Sequence, residues 1–245
     1  RNAEIYDTTI GWRFVNPAMD KAYGTDSMPQ TGQNVADDYG ISREAQDAMA
    51  LASQAKASAA QANGRLSREI TPVTIPQRKG DAVVVDRDEG IRPETTLESL
   101  AALRPAFKED GVVTAGNSSQ VSDGAAALLL ASEEAVQRHG LQPIGRIVDS
   151  QWAGLDPAQM GLGPVHAASP ILARHKLGLD DLDAWELNEA FAAQVLACER
   201  AWADDAFCRD ELDLPGALGA IDPAKLNVDG GAIAFVGESG RGKST

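Results

Sequence analysis

From residue 121 to residue 236, short apolar runs alternate with helix-like stretches, and this alternation limits the fold more than any other feature of the chain. Strands separated by a helix cannot close on each other as a hairpin, so they favour a sheet with helices layered against it. Ser122 and Asp123 are placed to cap an Ala-rich helix running into Leu128, Leu129 and Leu130, a run that reads as buried. Ser132, Glu133 and Glu134 open a second helix ending near Gly140, and residues 143–149 are strand-like. Residues 169–176 are helical up to Gly178, and residues 184–187 form a short buried strand. Residues 189–202 predict a helix with Phe191, Val195, Cys198 and Trp202 on one face, and residues 232–236 a last strand. The expected class is α/β.

The first 120 residues differ. Trp12, Phe14, Pro17, Tyr23 and Pro29 are scattered through the opening forty without sustained periodicity, which predicts an irregular region with short helical turns. Ser42 then precedes residues 43–63, a run of good helix formers without Pro or Gly, and Gly64 follows it. Residues 69–75 and 82–86 are β-branched and divided by Pro76, Lys79 and Gly80, predicting two strands or a hairpin with a long loop. Within residues 95–103, Leu97, Leu100 and Leu103 recur at helical spacing. At 245 residues, 43% of them hydrophobic, the chain can fill one large domain or two small ones.

Charge narrows the partners. Asp and Glu number 36 against 22 Lys and Arg, a formal net charge of -14, and that field repels a phosphate backbone or an anionic membrane surface. Neither nucleic acid nor a membrane is an expected partner. Apolar runs such as residues 124–131 are too short to span a bilayer and the first residues carry no signal-peptide pattern, so a cytoplasmic protein is expected. Cys198 and Cys208 are separated by nine residues, which fits neither a metal-ligand spacing nor a disulfide framework. No metal site is expected, and both thiols read as packed or surface groups.

Three constellations could carry chemistry. Asn188, Glu189, Ala190 and Phe191 stand where a buried strand hands over to a helix, a junction at which free N–H donors and the positive helix end coincide. There Asn188 can offer an amide to a carbonyl or a water. Glu189 can serve as a base partner or neutralise the dipole, and an Asn cap followed by a first-turn acid is the simpler account of both. Residues 114–125 are small and polar, so backbone can approach a ligand closely, yet alone they describe a capped loop. Met160 precedes a Gly-bounded turn, which suits core filler or the wall of a pocket.

Taken together, TAGNSSQVSDGAAALLLASE (residues 114–133), MGLGPV (160–165), ELNEAFAAQ (186–194) and NVDGGAIA (227–234) closely resemble the thiolase family of acyl-CoA acyltransferases. Within it, YDTTIGWRFVNP (6–17) and DSMPQTGQNVA (26–36) look most like the 3-oxoadipyl-CoA thiolases of aromatic-acid breakdown. The resemblance implies thiolytic cleavage of 3-oxoadipyl-CoA by coenzyme A to succinyl-CoA and acetyl-CoA. A cysteine thiolate takes the acyl group, a histidine activates it, a second cysteine moves the proton and oxyanion holes stabilise the developing charge. Carried over by position, Asn188 holds the water of an oxyanion hole, with Glu189 and Phe191 shaping the site. Ser119 contacts the pantetheine arm, and Met28 and Met160 line the acyl channel. Coenzyme A enters as substrate and no cofactor is expected; intact family members assemble as dimers or tetramers.

The implied fold is a partial thiolase-like layered αβα core with an α+β loop domain. Residues 1–119 correspond to the loop domain, 120–141 to a remnant of the N-terminal core domain, 142–235 to part of the C-terminal core domain, and 236–245 to a tail foreign to the family. The sequence departs from the family pattern in lacking its nucleophilic cysteine motif, its Gly-His-Pro motif and its Cys-x-Gly motif. With Arg1 in place of Met, it is expected to be the middle of a longer enzyme, inactive alone and exposing apolar faces. His139 and His175 fall near Gly-terminated helix ends, where a cation suits the dipole, and His166 stands where thiolases commonly show Pro.

The tail offers a second function class. Gly237, Gly242, Lys243 and Ser244 satisfy G-x-x-x-x-G-K-[ST], in which Lys243 would reach phosphates and Ser244 a magnesium ion. Such a loop needs a following helix, and only Thr245 follows Ser244, so a junction with unrelated sequence is expected rather than a nucleotide site. A nucleotide-binding module and a non-catalytic dimerisation fragment are the alternatives to the acyltransferase.

Overall fold

The computed structural model describes residues 14–122 and 124–234. Helices dominate, and their starts follow from side-chain oxygens that accept otherwise unpaired backbone N–H groups. Asn16 caps α1 (Pro17–Tyr23), Ser27 caps α2 (Met28–Asp38), and Ser42 caps α3 (Arg43–Ala62). Thr96 and Ser99 form a reciprocal capping box on α4 (Leu97–Ala101), and Ser132 caps α5 (Glu133–His139). Further on come a 3-10 turn (Pro157–Leu162), α6 (Gly163–His175), α7 (Ala192–Ala203) and α8 (Asp205–Asp210). Strands β1 (Val73–Ile75) and β2 (Val83–Val85) make an antiparallel hairpin pairing Val73 with Val85 and Ile75 with Val83.

The largest core surrounds α7. Ala192, Ala193, Val195, Ala197, Cys198, Ala201 and Trp202 are all buried, a face so wide that only the stripe of Leu196, Glu199, Arg200 and Ala203 approaches solvent. From α2 come Val35 and Ala36, from α6 Val165 and Leu172, all in the same cluster. Trp202 anchors it, and its indole N–H donates to Ser169 Oγ at 3.0 Å, which removes the penalty of a buried unpaired donor. On α3 four of the buried positions are small, Ala50, Ser53, Ala57 and Ala60, which lets the segment around residues 227–234 lie against the helix. A Cβ at Gly230, where φ is +83°, would stand 2.7 Å from the Ser53 carbonyl oxygen.

Several local expectations change. The Ala-rich stretch after Ser122 forms no helix; residues 124–131 are irregular, and Leu128, Leu129 and Leu130 are exposed rather than buried. Residues 143–149 form no strand, and Ile144, Ile147 and Val148 face solvent. In both places the sequence specifies a strand-like or buried element whose stability depends on neighbouring chain, and no backbone hydrogen bond reaches residues 124–131 or 142–148 among the described residues. Residues 184–187 make a single parallel bridge, Trp185 with Leu226, in place of a full strand. Residues 232–234 form a turn, and 235–236 lie outside the described residues. The helix placed at 169–176 begins earlier, at Gly163 with Pro164 in its first turn, and accommodates Pro170 internally. The exposed apolar runs match the faces expected of a partial core.

Candidate active site

The segment 185–191 bends at Ala190 and is held at both ends. At one end, the Trp185 N–H donates to Lys225 O and the Asn227 N–H to Trp185 O, each at 2.8 Å. The Asn227 side chain continues the ladder: its Oδ1 accepts from Leu187 N–H and its Nδ2 donates to Leu187 O, both at 2.8 Å. A φ of +45° aims that amide, a conformation Asn tolerates better than most residues. At the other end, the Ser119 N–H donates to Ala190 O and the Ala192 N–H to Asn117 O, both at 2.9 Å, around the antiparallel bridge between Ser118 and Phe191. Two motifs some seventy residues apart in sequence are thereby joined directly.

Over residues 187–189 burial alternates as it does along an extended chain. Leu187 and Glu189 are buried, while Asn188 between them is half-buried and makes no hydrogen bond among the described residues. Ser119 stands opposite Ala190, two residues from Asn188, and its hydroxyl is likewise uncommitted among the described residues. α7 starts at Ala192 with Phe191 at its cap position, so Asn188 is not a helix cap and Glu189 is not a first-turn acid.

Glu189 is 2% exposed, and both carboxylate oxygens are occupied. Oε2 accepts from Ser53 Oγ at 2.6 Å and from the Ile233 N–H at 3.3 Å, and Oε1 accepts from Asn227 Nδ2 at 2.9 Å. Ser53 Oγ in turn accepts the Gly231 N–H at 3.1 Å. Gly231 is required by this arrangement, since a Cβ there would fall 2.3 Å from the Glu189 carboxyl carbon. The pattern suits a brace that fixes the backbone presenting Asn188, not a base partner open to substrate. Asn117, also fully buried, braces the facing loop by donating to Asp47 Oδ1 at 3.1 Å and accepting from Thr114 N–H at 2.8 Å. Sequence reasoning missed Ser53, Asn117 and Asn227; polar residues beside small ones, in an Ala-rich helix and in NVDGG, were the available signal.

Phe191 lies on α2, its ring so close to Gly32 that a Cβ there would stand 2.9 Å from Cγ. Met28 precedes Gly32 by one helical turn, and is largely exposed. The turn carrying Met160 is tied to the same helix by Asn34 Nδ2, which donates to Ala158 O at 3.2 Å, and by Gln159 bonded to Asp38. Met160 too is exposed. Asn188, Ser119, Phe191, Met28 and Met160 thus belong to one region around α2 and the start of α7. It forms an open wall: the cleft of about 750 Å³ beside Ser58, Gln61, Asp86 and Arg87, at the C-terminal end of α3, contains none of them.

Neither cysteine is presented to that wall. Burial, the dominant effect, pushes the Cys198 thiol up to about 12, and its S–H donates to Gly161 O at 3.3 Å. Cys208 is fully buried against the end of α7. A thiol with a pKa near 12 has roughly 10³-fold less thiolate at pH 8 than an ordinary one. Labelling of the folded chain with Ellman's reagent is therefore expected to be slower by about that factor than after denaturation; immediate release of one equivalent would contradict it. His139 ends α5 beside the left-handed Gly140, as its sequence position suggests. His175 ends α6 before Lys176, and its Nε2 lies 2.8 Å from Asp149. Arg174, the stronger partner, and His175 together hold the Asp149 carboxyl well below the usual carboxylate range. His166 sets its ring edge-on to Phe207 with centroids 5.9 Å apart. Among the described residues no cluster of His, Cys, Asp and Glu is arranged to hold a metal ion. Gly237, Gly242, Lys243 and Ser244 lie outside the described residues.

Residues 4–134 match the family model described as thiolase, N-terminal domain, and residues 141–241 match thiolase, C-terminal domain. The chain is 53% identical over 235 residues to the beta-ketoadipyl-CoA thiolase of Pseudomonas aeruginosa and 49% identical to that of Acinetobacter baylyi. It is 50% identical to the 3-oxoadipyl-CoA/3-oxo-5,6-dehydrosuberyl-CoA thiolase of Escherichia coli. Each alignment takes in 96% of this chain and 55% of the relative, so the chain spans about half the length of the curated relatives it matches. Among solved structures it is similar to the Bacillus anthracis acetyl-CoA acetyltransferase, at TM-score 0.75 and 42% identity over 88% of this chain and 50% of that one. It is also similar to human mitochondrial 3-ketoacyl-CoA thiolase in complex with CoA, at TM-score 0.69 and 42% identity over 87% and 50%.

Proposed function

This chain belongs to the thiolase family, and on that premise we propose that it carries one wall of an acyl-coenzyme A site used for thiolysis of 3-oxoadipyl-CoA. The observation that supports this most is the pairing of residues 117–119 with 190–192, which brings the uncommitted Ser119 hydroxyl beside the segment that carries the uncommitted Asn188 amide. An amide there can hold a water against an oxygen that becomes negative as a carbon–carbon bond breaks, and a braced backbone needs little reorganisation to do so. Ser119 contacts the pantetheine arm, while Phe191, Met28 and Met160 shape the channel for the acyl chain. The thioether side chains can adapt to an aliphatic substrate while the ring stays fixed on Gly32.

In the whole enzyme, a cysteine thiolate adds to the 3-oxo carbon and the bond to the neighbouring carbon breaks. Acetyl-CoA leaves as an enolate and is protonated, and the succinyl group passes from the cysteine to the thiol of a second coenzyme A. This chain contributes binding and oxyanion support to that sequence, with coenzyme A as substrate and without a cofactor. The division at residues 119, 141 and 235, a dimeric or tetrameric intact enzyme and a cytoplasmic setting belong to the same proposal.

Binding is separable from turnover and can be measured on the chain itself. Of its four methionines, Met19, Met28, Met49 and Met160, only Met28 and Met160 are assigned to the site. With methyl-labelled methionine, acetyl-CoA is expected to shift the Met28 and Met160 resonances saturably and leave Met19 and Met49 in place, with Ser119→Leu weakening the effect about tenfold. Absence of any shift at millimolar ligand would reject the assigned wall.

A further inference from the structure

We infer that Arg43 and Asp47 are positioning residues of the proposed site: from outside the ligand wall they hold in place the segment 117–119 that carries Ser119. For what Ser119 touches, this rests on the acyl-coenzyme A reading; the chain of hydrogen bonds behind Ser119 does not.

Both residues stand in the first two turns of α3. An Arg–Asp pair four residues apart on a helix is ordinarily a solvated contact of little consequence. This one is largely withdrawn from water: the side chains are 19% and 5% exposed, and Arg43 Nε donates to Asp47 Oδ2 at 2.8 Å. The remainder of the guanidinium reaches a different element. Arg43 Nη2 donates to Leu100 O and, at 3.2 Å, to Leu103 O, around the C-terminal end of α4. A planar fork can serve carboxylate and carbonyls at once, which the single ammonium group of a lysine cannot.

Asp47 passes the restraint on. Its Oδ1 accepts from Asn117 Nδ2 at 3.1 Å, and the Asn117 carbonyl accepts the Ala192 N–H at 2.9 Å, beside the bond from Ser119 N–H to Ala190 O. α4 also meets this segment directly, since a Cβ on Gly116 would stand 2.6 Å from the side chains of both Leu100 and Leu103. Leu100 in turn shares a buried cluster with Ala50 of α3 and Ala192 of α7. The Arg43 fork therefore joins α3, α4 and the Ser119 segment at the point where that segment pairs with 190–192. Without the fork, the buried Asp47 charge is left uncompensated, so the carboxylate turns toward water and its bond to Asn117 is lost.

The earlier end of the same segment is held independently. Gln33 Oε1, on α2, accepts from the Val112 N–H at 2.9 Å and the Val113 N–H at 3.3 Å. Loss of the fork thus frees residues 117–119 and leaves 112–113 fixed.

Backbone amide exchange in ligand-free Arg43→Leu is expected to accelerate at least about tenfold at Ser119 and Ala192, and to stay within about twofold of the parent chain at Val112, Val113 and Asn227. Arg43→Lys, able to meet Asp47 or the carbonyls but not both, should fall between. Near-ultraviolet circular dichroism of the Trp202 core checks that each variant is folded, and if Arg43→Leu is not, the same pattern in Arg43→Lys decides. Equal acceleration at all these amides makes Arg43 a general stabiliser and overturns the inference, as does unchanged exchange at Ser119. Acetyl-CoA affinity, read from the Met28 and Met160 shifts, shows whether Arg43 acts through Ser119. Arg43→Leu and Ser119→Ala are each expected to weaken binding about fivefold, and the double variant also about fivefold, because one change displaces the hydroxyl that the other removes. A double variant weakened about 25-fold overturns the inference, since independent effects multiply. If the parent chain binds no acetyl-CoA while the exchange pattern appears, the acyl-coenzyme A reading falls and the hold on Ser119 stands.

Discussion

No acetyl-CoA above the uncatalysed blank is expected when the purified chain is mixed with 3-oxoadipyl-CoA and coenzyme A. Thiolysis needs a thiolate within reach of the substrate and a base to generate it. The chain has two cysteines. Burial pushes the Cys198 thiol up to about 12, so roughly one molecule in 10⁵ carries a thiolate at neutral pH, and Gly161 O and Gln194 enclose it. Cys208 has no exposed surface. The histidines are spent elsewhere: His139 at the end of α5, His166 against Phe207, His175 against Asp149. An amide that supports an oxyanion cannot act before a nucleophile attacks, so the loss is complete rather than partial. A coupled assay following acetyl-CoA would decide it, and sustained turnover abolished by Cys198→Ser would show that the buried thiol is reached after all.

How much of this was legible in sequence depended on how local each cause was. α3 was readable because its signals, a Ser cap, helix formers and a closing Gly, act within the segment that carries them. The hairpin was readable for the same reason. α7 was found with its apolar face, Val195, Cys198 and Trp202 all being buried, but it starts at Ala192, and Ala at 192, 193, 197 and 201, which scores weakly yet packs closely, widens that face. Residues 124–131, expected as an Ala-rich helix running into a buried stretch, and 143–149, expected as a strand, were misjudged because burial and strand pairing are relations between segments, and nothing within a run states whether its partner is present. The site shows the same limit. Asn188 and Ser119 were picked out by family resemblance, but the bonds bringing their segments together follow from Asn117 and Ala190, residues with no chemical signal of their own. Asn188 was taken for a possible cap because an Asn before an Ala-rich run usually is one; here pairing with residues 117–119 holds the chain out of the helix as far as Phe191.

Glu189→Ala is expected to reduce the unfolding free energy by about 3–5 kcal/mol, since hydrogen bonds to a charged group contribute roughly 1.5–3 kcal/mol each and three are lost, with some re-pairing. The loss falls on long-range contacts: Ser53 on α3, Asn227 and Ile233 all converge on this one side chain. Its removal leaves the Ile233 N–H without its acceptor and opens the space that Gly231 is kept bare to provide. Glu189→Gln keeps the shape, but whichever way its amide is turned one donor, the Ile233 N–H or Asn227 Nδ2, meets the amide nitrogen and loses its acceptor, so a cost of about 1–3 kcal/mol is expected. Asn227→Asp should be at least as damaging as Glu189→Ala, because it sets a second carboxylate within about 3 Å of the first and deletes the donor to Leu187 O. Urea unfolding ranks the three. A structural brace requires that order, and requires the acetyl-CoA shifts at Met28 and Met160 to survive in Glu189→Gln under conditions where it is folded. If Glu189→Ala unfolds within 1 kcal/mol of the parent chain, the carboxylate is not holding these segments together, and the brace assigned to Asn188 has no foundation.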